Sequence, residues 1–394
     1  MKSLKDLAVE GRTVLVRVDF NVPLDDEGRI RDDTRIRASL PTLNELVRRN
    51  ARFVLCSHLG RPKGRVVPKL SLRGVAARLS ELLGRDVRFS EEVIGPKASM
   101  LIRSLKDGEG VLLENVRFHE AETSNDEGFA RRLAEGIDIF VNDAFGSCHR
   151  AHASVTAVAR HVRDAGAGLL LEKEVNSLSR AFRSPLKPYT AILGGAKVSD
   201  KIPVIENLLN KADDILIGGA MAYTFFKARG EDVGKSLVED DKLETARSIL
   251  EQAEKRNVRF LLPEDHVLAA SLEQAVSTGT AGAFPLPPDR MAVDIGPKTI
   301  DAFSRVIAGS KTIFWNGPLG VFEVPAFSRG TIRIAEAVAG SGALSIVGGG
   351  DSAAAVSKAG VGDRISHIST GGGASLEFLA YETLPGLEAL GWKK

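Results

Sequence analysis

The chain has 394 residues, 43% of them hydrophobic, and its 53 Lys and Arg nearly balance 51 Asp and Glu, leaving a net charge of +2. This length suggests two or three domains, and the absence of a long basic run argues against a protein that follows a nucleic-acid backbone. Two cysteines cannot form a disulfide framework, the N-terminus lacks the apolar core of a signal peptide, and no segment approaches the ~20 apolar residues of a membrane span. We expect a cytoplasmic protein, monomeric, with neither a nucleic-acid nor a membrane partner.

In the first half of the chain, short apolar runs of strand type each end in polar side chains. The runs are TVLVRVDFNVPL, RFVLCSHLGRPKG, GVLLENVRFHE and DIFVNDAFGSCHRAHAS, with helix-like stretches such as RIRASLPTLNELVRRN between them. Arginine forks match the geometry of carboxylates and phosphates. If the strand ends converge, they form a pocket for a small, multiply charged anion, with Arg35, His58, Arg61, Arg117 and Arg150 as its cations and with Asp19 and Asn21 free to bind hydroxyl groups. Each arginine alone could equally be a surface side chain.

The second half repeats a different ending, in which an apolar strand passes through glycine into a helix. The five runs are YTAILGGAKVSDKI, DILIGGAMAYTFF, KTIFWNGPLGVFE, ALSIVGGGDSAAAV and SHISTGGGASLEFL. Alternating strands and helices predict a parallel sheet with helices on both faces, whose ligands bind at the carboxyl ends of the strands. One such glycine could mean only a tight turn, but five together favour a phosphate-rich ligand, because glycine lets backbone N–H groups approach an anion.

The segment AILGGAKVSDKI is an unusual candidate for phosphate binding, because the Walker pattern occurs nowhere in the chain. If a helix begins just after Gly194 and Gly195, Lys197 and Lys201 share one face near its positive end and suit the phosphates of a nucleotide. They could also be two solvated lysines. Asp351 could hold Mg²⁺ or serve as a helix N-cap, and the two roles are compatible.

Residues 166–190 are the expected boundary between the halves. A helix from about Leu170 to Phe182, stopped by Pro185 and Pro188, would link two domains and could act as a hinge. His149 and His152 are three residues apart, but the chain has no matching Cys/His pair at zinc-ligand spacing, so we do not expect a metal site there.

Nine motifs then identify a family by resemblance. In chain order they are RVDFNVPL, DDTRI, SHLGRPKG, ENVRF, NDAFGSCHRAHAS, GGAKVSDKI, WNGPLGVFE, GGGDS and STGGGAS, and together they closely resemble the phosphoglycerate kinases over nearly the whole chain. The resemblance implies an α/β enzyme of two doubly wound parallel-sheet (Rossmann-like) domains that face a cleft and are joined by a hinge helix. It implies reversible phosphoryl transfer between ATP and the carboxylate of 3-phosphoglycerate, with Mg²⁺ as cofactor.

The resemblance also assigns ligands to domains and residues. Residues 1–169, with 380–394 packing back on them, would bind 3-phosphoglycerate, and residues 170–379 would bind ATP or ADP. The acid site would consist of Asp19, Phe20, Asn21, Arg35, His58, Leu59, Gly60, Arg61, Arg117 and Arg150. The nucleotide site would consist of Gly195, Ala196, Lys197, Lys201, Gly219, Gly296, Asn316, Pro318, Val321, Glu323, Gly349, Gly350, Asp351 and Ser352, with Asp351 on the metal. Glu323 would accept hydrogen bonds from the ribose, although it could also be an exposed loop acid.

The transfer itself would depend on positive groups around the moving phosphoryl group. A carboxylate acceptor is already ionised at neutral pH and needs no general base, so positioning and electrostatic stabilisation are the main requirements. The resemblance gives these roles to Arg35, Lys197, Lys201 and the N–H groups of Gly371, Gly372 and Gly373, which would open a helix.

Two departures from the family pattern are visible, and rival functions stay open. Ser352 stands where threonine is commoner, and Cys148 stands where a small or hydroxyl residue is commoner, which raises the question of a reactive thiol near the acid site. A different carboxylate kinase and a non-catalytic nucleotide-binding protein are the alternatives. A dinucleotide oxidoreductase fits less well, because no Gly-x-Gly-x-x-Gly follows a first strand.

Overall fold

The computed structural model describes residues 1–273, 275–282 and 284–393, and the contacts of the chain divide it into two compact units. Unit 1 comprises Met1–Asn176 and Tyr381–Lys394, and unit 2 comprises Ser177–Ala380. The boundaries expected at residues 169 and 380 stay a prediction, because backbone contacts alone do not assign a ligand to a unit.

Unit 1 is built on a six-stranded sheet in which every neighbouring pair is parallel. In chain order its strands are β1 (Thr13–Arg17), β2 (Arg52–Cys56), β3 (Val87–Phe89), β4 (Gly110–Leu112), β5 (Ile139–Asn142) and β6 (Asp164–Ala167), and their order in the sheet is β3-β4-β2-β1-β5-β6. The predicted parallel α/β architecture is confirmed here.

Helices connect these strands. They are α1 (Thr34–Arg48), α2 (Arg73–Leu83), α3 (Pro96–Arg103), α4 (Glu120–Thr123), α5 (Glu127–Leu133) and α6 (Leu169–Arg183), with short 3-10 helices at Leu4–Asp6, Pro68–Leu70, Val116–Phe118, Phe145–Ser147 and Ala157–His161. The helix predicted at residues 170–182 is thus present as α6, and it crosses from unit 1 into unit 2.

The core of unit 1 follows from the sequence of its central strands. All five residues of β1 are buried, as expected for a strand covered on both faces, and Val14 and Val16 pack in one cluster with Leu43 and Leu46 of α1. Arg17 is the exception, a charged side chain at 0% exposure at the carboxyl end of this strand.

Unit 2 contains a second six-stranded parallel sheet and a smaller antiparallel one. The large sheet has the order β15-β14-β13-β7-β8-β9, and the small sheet has the order β11-β10-β12. The strands are β7 (Tyr189–Leu193), β8 (Asp214–Ile217), β9 (Arg259–Leu261), β10 (His266–Ala269), β11 (Gly279–Ala281), β12 (Met291–Ile295), β13 (Thr312–Asn316), β14 (Leu344–Gly348) and β15 (His367–Ile368). The antiparallel sheet was not predicted.

Helices alternate with the strands of unit 2. They are α7 (Ile202–Leu208), α8 (Met221–Ala228), α9 (Leu243–Lys255), α10 (Pro297–Gly309), α11 (Arg329–Gly340), α12 (Gly350–Lys358) and α13 (Gly373–Tyr381), with 3-10 helices at Asp240–Lys242, Pro325–Phe327 and Gly362–Arg364. A last short helix, α14 (Pro385–Glu388), returns to unit 1, where Gly386 N donates to Cys148 O at 2.9 Å. Within the described ranges, no helix has the length and apolar character needed to cross a membrane.

Candidate functional site

The strand ends of unit 1 place the predicted acid-site residues next to one another. Arg35 Nη1 lies 3.0 Å from Asp19 Oδ2, and the other oxygen of Asp19 accepts from Asn21 N at 3.2 Å. Asn21 Oδ1 in turn accepts from Gly60 N at 2.8 Å, and Arg117 Nη1 donates to Gly60 O at 2.8 Å. The loops after β1, β2 and β4 are therefore joined by side chains that the sequence analysis assigned to one site.

His58 shows how strongly positive this region is. Its side chain is buried, and burial lowers its pKa well below the ordinary value, with further lowering by the charges of Arg17, Arg117, Arg35 and Arg150. Burial, together with Arg150 and Arg17, also lowers the pKa of Arg117 to about 10. Four guanidinium groups thus act on one imidazole. Such an excess of positive charge stabilises a small anion with several negative charges.

Arg17 is a member of this cluster that the sequence analysis missed. Its Nε donates to Ser154 Oγ at 2.9 Å, its Nη2 lies 3.1 Å from His58 Nδ1, and its Nη1 donates to Val18 O. Ser154 Oγ in turn donates to Oε1 of the fully buried Glu122 at 2.7 Å. The sequence did contain a signal for this residue, namely an arginine inside the apolar run TVLVRVDF. A charged side chain that is buried in a strand needs hydrogen-bond partners, so such an arginine indicates a buried polar network.

Other predicted acid-site residues take different environments. Phe20 and Leu59 are buried, at 0% and 2% exposure, so their side chains belong to the core and only their backbone is available to a ligand. Arg61 is exposed. His149 Nε2 accepts from Arg150 Nε at 3.1 Å, and no group of three metal-binding side chains occurs among the residues that the structure describes.

Cys148 is not a reactive thiol in this structure. It is fully buried, Asn142 Nδ2 approaches its Sγ at 3.6 Å, and burial raises the pKa of the thiol to about 12. A thiol reacts as the thiolate and must be reached by the oxidant, so both requirements fail here.

In unit 2, the loop after β7 departs from the prediction. The helix expected just after Gly195 begins only at Ile202, and Lys197 and Lys201 lie on the intervening loop rather than on one helix face. The two glycines instead allow a close approach to the loop after β13: Gly195 N donates to Pro318 O at 2.9 Å, and a Cβ on Gly194 would lie 2.1 Å from that oxygen.

The two lysines differ in environment. Lys197 is exposed, whereas Lys201 is 8% exposed and its Nζ donates to Asn316 Oδ1. Burial lowers the pKa of Lys201 to about 8, although the charges of Asp200 and Asp351 oppose this shift. Lys201 is therefore an ammonium group short of counter-charge, which an anionic ligand could supply.

Two cavities lie at these strand ends. The more polar one has a volume of about 440 Å³, and its lining includes the predicted residues Gly195, Ala196, Lys197, Lys201, Asn316, Pro318, Gly349, Gly350, Asp351, Ser352, Gly372 and Gly373. The other has a volume of about 230 Å³ and is lined mainly by apolar side chains and glycines, with Gly219, Val321 and Glu323 among the predicted residues. Gly195, Ala196, Pro318 and Asp351 line both cavities, so the two are neighbours.

Asp351 lies in the first turn of α12 and not at its N-cap. The N-cap is Gly349, whose φ of 96° suits glycine, so the N-cap interpretation of Asp351 is wrong. Asp351 is exposed between the two cavities, while the buried Ser352 Oγ accepts from Gly317 N at 2.6 Å. An exposed carboxylate beside the more polar cavity fits Mg²⁺, which takes one or two protein carboxylates with phosphate oxygens and water.

Two groups of predicted glycines are only partly brought into the cavities. Gly373 begins α13, as expected for a helix-opening residue, but Gly371 N already donates to Ser369 Oγ at 3.1 Å. Gly296 is the N-cap of α10, where a Cβ would lie 2.3 Å from the carboxyl carbon of Asp265, and it is not among the described residues that line either cavity.

Comparisons with known proteins identify the family of the chain. A family model described as phosphoglycerate kinase matches residues 4–382. The phosphoglycerate kinase of Koribacter versatilis is 55% identical over 396 residues, covering 98% of both chains, and that of Anaeromyxobacter sp. (strain K) is 54% identical over 391 residues, covering 99% of both. The solved structure of phosphoglycerate kinase from Coxiella burnetii has a TM-score of 0.90 and 41% identity, and that from Pyrococcus horikoshii OT3 has 0.85 and 35%; each alignment covers 99% of this chain and 98% of the other. The chain belongs to the phosphoglycerate kinase family.

Proposed function

We propose that the arginine cluster of unit 1, which consists of Arg17, Arg35, Arg117 and Arg150 around His58, binds 3-phosphoglycerate and that the two cavities of unit 2 bind the nucleotide. Family membership gives the reaction, which is reversible phosphoryl transfer between ATP and the carboxylate of 3-phosphoglycerate, yielding ADP and 1,3-bisphosphoglycerate in glycolysis and gluconeogenesis. The observation that carries the assignment of the acid site is the effect of four arginine charges on the buried His58.

The acid site has groups for both ends of its ligand. Arg117 and Arg150 supply charged donors for the phosphate, which needs several donors to replace its hydration, while the fully buried Arg17 adds positive charge without contacting the ligand. Asp19 and Asn21 accept or donate hydrogen bonds and are suited to the hydroxyl group. Arg35, whose side chain is 37% exposed, is then free to approach the carboxylate that accepts the phosphoryl group.

The nucleotide site divides between the two cavities. The apolar cavity suits the nucleoside, with Glu323 at its edge for the ribose, and the polar cavity suits the phosphates. Lys197 and Lys201 are the cations of the polar cavity. The start of α12 adds backbone N–H groups and the positive end of a helix dipole.

The transfer step requires charge stabilisation more than proton transfer. Arg35, Lys201 and the N–H groups of Gly372 and Gly373 would stabilise the negative charge spread over the moving group. Asp351 would hold Mg²⁺ against the nucleotide phosphates, and the bound cation would neutralise part of their charge. The engaged N–H of Gly371 reduces the set of three glycine donors to two unless Ser369 Oγ releases it.

The cellular setting is part of the proposal. Cys56 and Cys148 are both free and buried, which fits a reducing cytoplasm. Both proposed ligand sites consist of residues of a single chain, so a monomer is the simplest functional state.

The experiment that tests this assignment compares 3-phosphoglycerate with glycerate as acceptors in an assay coupled to ADP formation. Because the arginine cluster is assigned to the phosphate, kcat/KM should fall at least about 100-fold when that phosphate is missing. Other small carboxylic acids serve as further controls. Equal turnover of glycerate would remove the arginine cluster from substrate recognition.

A further inference from the structure

The loop that carries Lys197 and Lys201, called the lysine loop below, is not part of a helix. A carboxylate that lies outside the cavities accepts hydrogen bonds from the residue at the centre of this loop. Glu239 Oε2 accepts from Ser199 N at 3.0 Å, and Glu239 Oε1 accepts from Ser199 Oγ at 2.6 Å. Ser199 stands midway between the two lysines, two residues from each. We infer that Glu239 is a positioning residue for nucleotide binding, which fixes the lysine loop through Ser199 in the shape that presents both ammonium groups to the phosphates.

The remaining anchors of the loop explain why this contact matters. Val198 is fully buried, and its carbonyl accepts from Lys201 N at 2.8 Å, so the second half of the loop is a turn closed on Val198. At the other end, Gly195 O accepts from Met221 N at 3.1 Å. Ser199 is half-buried, and through Glu239 it ties the middle of the loop to another part of the unit.

Glu239 is itself fixed from a second side. Its backbone N donates to Thr224 Oγ1 at 3.1 Å, and Thr224 belongs to α8, the helix that follows the Gly218–Gly219 loop. Gly219 lies against Gly195, where a Cβ on Gly219 would come within 2.6 Å of the backbone N of Gly195. Glu239 therefore connects the lysine loop to the helix behind a second loop of the nucleotide site.

Glu239 acts through geometry and not through its charge on the lysines. The charges that act on Lys201 are those of Asp200 and Asp351. Partial burial favours a raised pKa for Glu239, but the hydrogen bonds from Ser199 and Val198 outweigh it and leave the pKa below its ordinary value. The carboxylate is thus ionised throughout the neutral range and accepts hydrogen bonds at both oxygens, which an amide cannot do.

The inference rests on the proposed role of the lysine loop in nucleotide binding, and the test separates the two. Calorimetric titration with ADP and Mg²⁺ is compared with titration by 3-phosphoglycerate for Glu239→Gln, Ser199→Ala, Ser199→Thr and Lys197→Ala. Loss of a hydrogen bond to a charged group should lower the ADP affinity of Glu239→Gln about tenfold, because the loop is in its binding shape for a smaller fraction of the time. Affinity for 3-phosphoglycerate should not change.

Two variants of Ser199 and a matched control variant test the contact between Ser199 and Glu239 separately. Ser199→Ala should lose a smaller factor, since its backbone N–H still bonds to Glu239, and Ser199→Thr should recover most of the affinity because it keeps the hydroxyl group. Adding Ser199→Ala to Glu239→Gln should cost less than the two separate losses combined. Glu244→Gln removes a carboxylate of the same type, whose side chain is 85% exposed and pairs with Arg247, and should bind ADP normally.

Two outcomes would overturn the inference. If Glu239→Gln binds ADP normally while Lys197→Ala does not, the nucleotide site stands and Glu239 has no positioning role. If Lys197→Ala also binds ADP normally, both the site and the inference are wrong. Should Glu239→Gln fold poorly, the pair Ser199→Ala and Ser199→Thr decides alone, because equal affinities for these two variants would show that the hydroxyl bond to Glu239 is irrelevant.

Discussion

Arg35 is the second residue of α1, and its ion pair with Asp19 is partly exposed to solvent. An exposed pair of this kind contributes at most about 1 kcal/mol to folding, so Arg35→Ala should melt within a few degrees of the unmodified protein. Removal of a donor to the transferring group should nevertheless cost at least about 2 kcal/mol of transition-state stabilisation, seen as a fall in kcat/KM.

Arg37→Ala is the control for this variant, because Arg37 lies on the same helix and pairs with Asp33 at 2.7 Å. It should keep its activity. A folded Arg35→Ala enzyme with normal turnover would exclude Arg35 from the mechanism.

The lowered pKa of Lys201 leads us to expect that nucleotide binding is accompanied by proton uptake. Burial lowers its pKa to about 8 from the ordinary 10.5, so above that pH much of the free protein carries a neutral amine. Phosphate oxygens beside the amine favour the ammonium form and raise the pKa again. Binding of ADP with Mg²⁺ at pH 9 should therefore take up a fraction of a proton, whereas binding at pH 6.5 should take up none at this residue.

Calorimetry in two buffers of different ionisation enthalpy measures the proton directly. Lys201→Met should abolish the uptake at pH 9, and Lys197→Met, which removes the same charge from an exposed position, should retain it. The same uptake in all three proteins would assign the proton to another group.

The carboxylate of Asp143 caps the N-terminal end of helix α6. Asp143 Oδ1 accepts from Leu170 N at 2.9 Å and from Leu171 N at 3.2 Å, and Gly168 leaves room for the carboxylate, since a Cβ there would lie 2.2 Å from it. Asp143→Ala should lose about 1–3 kcal/mol, because two backbone donors are left without a partner inside the protein.

The pH dependence of this cap separates Asp143→Asn from the unmodified protein. Burial raises the pKa of Asp143 from the ordinary 3.8 to about 7, so the folded protein binds a proton that the unfolded chain releases. The resulting stabilisation is complete below about pH 4 and is lost as the pH rises through 7. Asp143→Asn keeps an oxygen to accept both bonds but cannot titrate, so its melting temperature should fall less than that of the unmodified protein between pH 5 and pH 8. Parallel curves would show that Asp143 does not titrate in this range.

The elements show which parts of the structure follow from sequence patterns. Apolar runs and the proline pair at 185 and 188 predicted the parallel strands and α6, because these signals are local. The start of α7 was predicted wrongly, since the bonds from Ser199 to Glu239 and from Gly195 N to Pro318 O depend on residues far along the chain. The same reason explains Arg17, whose partners His58 and Ser154 are distant in sequence.

For the whole molecule, the division into two units sets the main functional requirement. The proposed ligand sites belong to different units, but transfer needs the reacting atoms roughly 3–3.5 Å apart in a site that excludes water. We expect the units to close when 3-phosphoglycerate and ADP with Mg²⁺ are both bound. X-ray scattering should give a smaller radius of gyration for the doubly liganded protein than for the free protein, and an unchanged radius would contradict closure.

The central claim is that unit 1 binds the acid and unit 2 binds the nucleotide, and a crossed binding measurement tests it most directly. Calorimetry would measure the affinity of Arg150→Ala and Asp351→Ala for 3-phosphoglycerate alone and for ADP with Mg²⁺ alone. Arg150→Ala should weaken only the acid, because it removes a cation of the arginine cluster, and Asp351→Ala should weaken only the nucleotide, because Mg²⁺ loses its protein carboxylate. Loss of both affinities in either variant, or the reverse pattern, would contradict the assignment of the two sites.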